Sequence, residues 1–193
     1  MTAVAMPKPG VYRSGHTVDV APPGSRKALF LDRDGVVNIN HGYVHTPEQT
    51  DWVPGVFDLC RQARDLGFDC IVVTNQAGIA RGYYSEGQFL AYTRWIHEQF
   101  ASKGVPLLAT FYCPHHPTAG VGPWMIECEC RKPRPGMFLA AGDLFGLSMR
   151  DSVMVGDQPS DLEAASAAGV QRAIMVDATK TNPFDKAVLL LSS

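Results

Sequence analysis

The sequence has little of what marks a membrane-spanning, secreted or nucleic-acid-binding chain. No apolar run approaches the roughly 20 residues that cross a bilayer, so no membrane partner is expected. Neither charge sign is in excess: 17 Lys and Arg stand against 19 Asp and Glu, a formal net charge of −2. Such a balance gives no broad field for nucleic acid or anionic lipid. The first 26 residues are rich in Pro, Gly and Ser and lack the apolar stretch of a secretory signal. They read as a loose N-terminal extension (1–26) ahead of a single domain (27–193), and a cytoplasmic location is expected. Internal repeats and low-complexity tracts are also missing. Cysteine is scarce, five in 193 residues, and in a reducing compartment these five need a role other than disulfides. What is present is 46% hydrophobic and 19% charged, with 18 Gly and 14 Pro. That suits one compact, turn-rich domain, read here as a monomer.

Short apolar runs alternate with helical stripes along most of the chain. Residues 27–32 (KALFLD), 70–74 (CIVVT), 107–112, 152–155 and 171–176 read as strands. Between them Val56, Leu59, Cys60, Ala63 and Leu66 recur at helical spacing and end at Gly67. Ser85 and Gln88 fit a capping box before the stripe Phe89, Tyr92, Ile96 and Phe100, which ends at Gly104. Residues 136–145 and 162–168 complete the helices, while 187–191 fit either an edge strand or a docked tail. Such alternation predicts an α/β three-layer sandwich around a mainly parallel, Rossmann-like sheet. Functional side chains should then stand just beyond the carboxyl ends of strands.

Those strand ends carry chemistry. Asp32 and Asp34 are two apart in DRDGVVN. If the chain stays extended, both carboxylates face one way, about 6–7 Å apart along the chain, and Arg33 faces the other. Two ordinary turn aspartates are the plain alternative. Thr74, Asn75 and Gln76 offer a hydroxyl and two amides, Arg131 and Lys132 lie in a short basic cluster, and Asp157 follows a third strand (VMVGD). Asp161, four residues on, either caps the next helix or bonds its loop. Carboxylates with a phosphate suit Mg²⁺, a hard ion that prefers oxygen. Asp32 then attacks phosphorus, and Asp34 protonates the leaving alcohol and later activates water. Lys132 and the metal neutralise charge on the transferring group.

DRDG, TN, the lysine of RKP and VGDxxxD resemble, in order and spacing, the four motifs of the haloacid dehalogenase-like phosphatases over about residues 29–176. The resemblance implies Asp32 as nucleophile, Asp34 as acid/base, Thr74 and Lys132 at the phosphoryl group, and Asp157 as metal ligand. It also implies that the backbone carbonyl of Asp34 binds the metal.

Cys113, His115, Cys128 and Cys130 lie in one segment without clean periodicity. Three thiols and an imidazole suit a closed, structural Zn²⁺ site. His116 is the alternative imidazole, and reduced cysteines beside surface histidines are the plain one. Cys60 and Cys70, among apolar neighbours, read as core residues. The CPHH…CxCRKP arrangement, with HGYVH at 41–45 and TNQAGIARG at 74–82, is similar to the D-glycero-D-manno-heptose 1,7-bisphosphate 7-phosphatase family, which has a zinc loop and a minimal cap. Histidinol-phosphate phosphatases share DRDG and a comparable loop. Gln158 stands where that heptose family often has lysine. The resemblance implies a small phosphorylated sugar substrate, feeding surface-polysaccharide precursors.

For such a substrate the expected pocket inserts are 38–53, 76–86 and 113–135. Arg81 and Arg131 are candidates to grip a second phosphate, and Asn75 and Gln76 to bond sugar hydroxyls. For Arg81 a solvated loop position competes. Tyr43, Trp52, Tyr83 and Tyr84 fit either a sugar face or packing, and His41 and His45 either the pocket or ordinary loop contacts. A phosphosugar-binding protein without turnover and a nucleic-acid 3′-end phosphatase are the readings from other classes.

Overall fold

The computed structural model describes residues 7–13 and 22–192. Six strands form one sheet: β1 (Gly10–Tyr12), β2 (Lys27–Leu31), β3 (Phe68–Asn75), β4 (Ala109–Cys113), β5 (Val153–Gly156) and β6 (Arg172–Met175). Their order is β1-β4-β3-β2-β5-β6, all parallel except β1, which runs antiparallel to β4. The helices are α1 (Val56–Asp65), α2 (Ala77–Ala80), α3 (Glu86–Ser102), α4 (Gly136–Phe145), α5 (Pro159–Ala167) and α6 (Asp185–Leu191).

Strand alternation builds the three layers. Leu29 and Leu31 of β2, Val72 of β3 and Val153 of β5 pack with α1, α3 and α6 on one face. Ala28, Phe30, Ile71, Val73 and Met154 pack with α4 and α5 on the other. Every one of these strand residues is essentially solvent-free, because a central strand between two helical layers has no wet face. Cys60 and Cys70 lie buried and unbridged in the first of these layers. The capping box forms as predicted: Gln88 N donates to Ser85 Oγ at 3.2 Å, and Ser85 N donates to Gln88 Oε1 at 2.8 Å.

Two elements differ from expectation and a third decides between two alternatives. Part of the N-terminal extension is not loose, since residues 10–12 pair with β4 at the sheet edge. The rest of that extension, 1–6 and 14–21, lies outside the described residues. Residues 185–191 form a helix with Ala187 and Leu191 buried in the first core layer, which is a docked tail and not an edge strand. Finally, α5 begins three residues before the predicted 162, at Pro159, because Asp161 caps its first turn. No helix among the described residues is long and apolar enough to cross a membrane.

Candidate active site

β2 is central, and the chain crosses to β3 on one side of it and to β5 on the other. A doubly wound sheet opens a crevice at that reversal, beyond the carboxyl ends of its strands. The crevice holds a cavity of about 300 Å³ walled by Asp32, Asp34, Thr74, Lys132, Asp157 and Asp161, among others. Its outer wall comes from the loops after β2 and β3, including Asn40, Tyr43 and Tyr84.

Asp32 leaves β2 into this cavity, but the chain does not stay extended beyond it. Val37 N and Asn38 N both donate to Arg33 O, at 2.8 and 3.0 Å, so residues 33–38 form a tight turn. That bend overturns the expectation that Arg33 faces away from Asp34. Its guanidinium is 2% exposed and pairs with the Asp34 carboxylate at 2.7 Å. Asn38 Nδ2 donates to the same carboxylate at 3.1 Å. Gly35 makes the turn possible with φ +94°, and a Cβ there would stand 2.3 Å from Asp157 Oδ2.

Lys132 comes from the loop just ahead of α4 and is almost wholly buried. Its ammonium donates to Asp32 Oδ1 at 2.6 Å and to Val73 O at 2.8 Å, and it pairs with Asp161 Oδ1 at 2.6 Å. Burial pushes Asp32 up to about 7, against the downward pull of Lys132 and with Asp161 repelling. Burial also works against the charge on Lys132, but Asp32 and Asp161 together hold its pKa above the ordinary lysine value. Asp161 further accepts from Asp157 N at 3.1 Å and Gln158 N at 3.0 Å. It is therefore both the cap of α5 and a brace for Lys132.

Carboxylate oxygens of Asp32, Asp157 and Asp161 lie within 4.8 Å of one another. Asp34 contributes to the cavity wall but its carboxylate is not in that set. Asp157 is raised by burial, opposed by the hydrogen bond from Gln158. Its Oδ2 accepts from Gln158 Nε2 at 3.1 Å, while its Oδ1 is buried with no protein partner. A buried carboxylate oxygen without a donor is costly. Beside two further acids, it fits a hard divalent cation.

The amides after β3 do not reach out as expected. Asn75 Oδ1 accepts from Lys132 N at 3.0 Å and its Nδ2 donates to Lys132 O at 3.1 Å. Gln76 is 1% exposed and bonds Thr74 and Tyr84. Both side chains are thus held within the protein although they line the cavity. Arg81 and Arg131 are not in the wall of the Asp32 cavity. They flank His116, whose pKa is lowered first by burial and then by these two cations. Arg131 also donates to His115 O at 3.2 Å.

Tyr43 and Tyr84 line the cavity, with Tyr43 edge-on to the exposed Tyr83 and Tyr84 stacked on His45. Trp52 packs against Phe57, Trp95 and Phe100 in the core instead. His41 pairs with Asp51.

The cysteine segment converges as the spacing predicts. Cys113 Sγ lies 3.5 Å from Cys128 Sγ and 3.3 Å from Cys130 Sγ, and His115 Nδ1 is 3.4 Å from Cys130 Sγ. A tetrahedral zinc with Zn–S bonds of about 2.3 Å places its sulfurs roughly 3.8 Å apart, close to these spacings. The four residues are buried together, and His116 is not among them. Hydrogen bonds from Cys113 and Cys130 pull the Cys128 thiol below its ordinary value.

Sequence reasoning gave Asp161 only a supporting role and placed Asn75 at the substrate. The available signal was the i, i+4 spacing of Asp157 and Asp161 across a helix start; for Asn75 no local signal exists, because its partner is 57 residues away.

The doubly wound sheet, its crevice acids and the buried lysine define a haloacid dehalogenase-like phosphoester hydrolase. A family model described as "HAD-hyrolase-like" matches residues 129–187. A D-glycero-beta-D-manno-heptose-1,7-bisphosphate 7-phosphatase from Vibrio cholerae is 47% identical over 152 residues, 79% of this chain and 82% of the relative. The D-glycero-alpha-D-manno-heptose-1,7-bisphosphate 7-phosphatase of Burkholderia mallei is 47% identical over 150 residues, 78% of this chain and 79% of the relative. Among solved structures, a HAD-like phosphatase from Mesorhizobium loti superposes with a TM-score of 0.83 at 33% identity, covering 98% of this chain and 94% of that one. The D,D-heptose 1,7-bisphosphate phosphatase of B. bronchiseptica, complexed with magnesium and phosphate, gives 0.65 at 33% identity over 74% of this chain and 76% of that one. The chain belongs to the D-glycero-D-manno-heptose 1,7-bisphosphate 7-phosphatase family.

Proposed function

We propose that this chain removes the C7 phosphate of a D-glycero-D-manno-heptose 1,7-bisphosphate in a Mg²⁺-dependent reaction. The observation that carries the chemistry is the Asp32–Lys132 pair beside the unpartnered Asp157 oxygen, at the base of a polar cavity. The choice of sugar rests on the relatives' substrates. Asp32, Asp157 and the backbone carbonyl of Asp34 would hold the Mg²⁺, which when bound would supply positive charge against the carboxylates and the phosphate dianion.

An Asp32 oxygen attacks phosphorus, and the bond from phosphorus to the C7 oxygen breaks. Asp34 delivers a proton to that oxygen, and its release from Arg33 is the rotation this role requires. Asp34 then takes a proton from water, the hydroxide displaces Asp32 from the aspartyl-phosphate, and inorganic phosphate leaves. Lys132 and the Thr74 hydroxyl bind the phosphoryl oxygens throughout. Arg81 and Arg131 are proposed for the C1 phosphate, and they reach it only if the sugar extends past the cavity toward His116. Zn²⁺ on Cys113, His115, Cys128 and Cys130 is proposed as a structural ion, supported by the convergence of three sulfurs and one ring nitrogen.

The test is turnover of both heptose 1,7-bisphosphate anomers, fructose 1,6-bisphosphate and histidinol phosphate side by side, with Mg²⁺. The highest kcat/KM is expected for one heptose anomer, with Asp32→Asn inactive on all four. A higher value for histidinol phosphate overturns the substrate assignment. Equal phosphate release by wild type and Asp32→Asn overturns the mechanism and favours a protein that only binds phosphosugars.

A further inference from the structure

The hydroxyl of Thr74 has a direction, and its neighbours set it. Gln76 Nε2 donates to Thr74 Oγ1 at 2.8 Å, and Tyr84 Oη donates to Gln76 Oε1 at 2.6 Å. An amide at this position has two possible orientations, and the surroundings choose between them. Asp34 Oδ2 lies 3.4 Å from Gln76 Nε2. Asp34 Oδ2 accepts from the Arg33 guanidinium at 2.7 Å and Tyr84 Oη stands at the other end of the amide as a donor, so the NH₂ is the end facing Asp34 and Thr74. Oε1 then faces Tyr84, where the phenol supplies the proton. Thr74 Oγ1 is the acceptor in its bond with Gln76, so its own hydrogen is directed elsewhere. Thr74 lines the cavity beside Asp32 and Lys132, and no acceptor for that hydrogen is found among the described residues.

We propose that Tyr84 and Gln76 are positioning residues that hold the Thr74 hydroxyl as a fixed donor into the cavity, where a phosphoryl oxygen accepts from it. This rests on the phosphatase reading above and replaces the expected contact between Gln76 and sugar hydroxyls. A donor oriented before substrate arrives costs no reorganisation during reaction. The arrangement is rigid by construction. Gln76 N also donates to Cys113 O at 2.8 Å, and a Cβ on Gly78 would stand 2.3 Å from the Tyr84 ring, so Tyr84 seats against bare backbone.

Gln76→Glu gives the sharpest test, because it keeps shape while reversing polarity. A carboxylate at 76 accepts from Thr74 and turns its hydrogen away from the cavity. Tyr84→Phe removes the proton that fixes the amide. Each is assayed on heptose 1,7-bisphosphate and on p-nitrophenyl phosphate, which has no sugar hydroxyls, and by vanadate affinity, which needs no turnover. Both are repeated in a Thr74→Val background.

Gln76→Glu is expected to lower kcat tenfold to hundredfold by the same factor on both esters, and Tyr84→Phe about threefold to tenfold, with vanadate affinity falling in parallel. In Thr74→Val, Tyr84→Phe does not weaken vanadate binding further, and Gln76→Glu weakens it by clearly less than in the wild-type background, the remainder being the repulsion of its added charge. A loss confined to the sugar substrate, or losses that add fully in the Thr74→Val background, overturns the proposal. If wild type binds vanadate but hydrolyses neither ester, the phosphatase reading fails instead, and the vanadate comparison still decides the inference.

Discussion

Asn75 shows how far a side chain's role depends on a partner distant in sequence. Its amide clasps both backbone groups of Lys132, whose ammonium touches Asp32. Asn75→Ala leaves that buried N–H and C=O unpaired, at about 1–3 kcal/mol each, and lets the ammonium drift. A misplacement of about 1 Å in a reacting group costs on the order of a hundredfold. Its kcat is therefore expected to fall at least tenfold, equally on heptose bisphosphate and p-nitrophenyl phosphate. A change only in KM for the sugar would restore Asn75 to the substrate. Gly35 gives a second residue-scale prediction. Gly35→Ala forces a side chain into φ +94° and against Asp157 Oδ2. A loss of about 1–3 kcal/mol is expected in thermal unfolding, together with weaker Mg²⁺ binding by calorimetry. Unchanged Mg²⁺ affinity would show that Asp157 does not need this close approach. Asp32, Thr74 and Asp157 were legible because strand ends announce themselves by an apolar run that stops at a polar group, and Lys132 because it sits in a short basic cluster with two prolines, just ahead of a helix. The Arg33 contact was not, since period-two reasoning fails once the backbone turns.

Elements were legible in proportion to their apolar pattern. β2, β3 and β5 are buried on both faces and read as near-continuous apolar runs. β1 is three residues long, half-exposed, and defined only by its pairing with β4. α2 has four residues, too few for any periodicity. The segment between β4 and α4 has little to bury except its cysteines, yet it delivers Lys132 two residues after Cys130. Cys113, at the end of β4, pairs in register with Asn75. The proposed zinc site and the lysine clasp therefore start from the paired ends of two neighbouring strands, β4 and β3. Removing the ion with a strong chelator is expected to lower Tm by several degrees and to cut activity, with zinc restoring both. Absence of tightly held zinc in gently purified protein, or chelation that changes neither quantity, would remove the metal from this account.

At the scale of the whole molecule, the sheet order gathers like charges. One crevice receives Asp32 and Asp34 just after β2, Asp157 just after β5 and Asp161 from the first turn of α5, against Lys132, while Arg33 pairs with Asp34. A chain whose net charge is only −2 thus holds a locally acidic site that must admit a dianion. The cost shows in the acids themselves: burial and mutual repulsion raise Asp32 to about 7, and burial raises Asp157. A carboxyl raised in the folded state contributes stability below its unfolded value of about 3.9, and loses it as pH climbs through the folded value. The metal-free protein should lose this contribution between about pH 4 and pH 7. Mg²⁺ binds the ionised acids of the folded state and opposes that loss. The rise in Tm on adding Mg²⁺ should therefore be small at pH 5 and several degrees larger at pH 8. Comparing the two conditions at each pH cancels groups remote from the crevice. A Mg²⁺-induced shift independent of pH would mean that these carboxyls are already ionised without the cation, and that the crowding of acids at the switch point is not what the metal relieves.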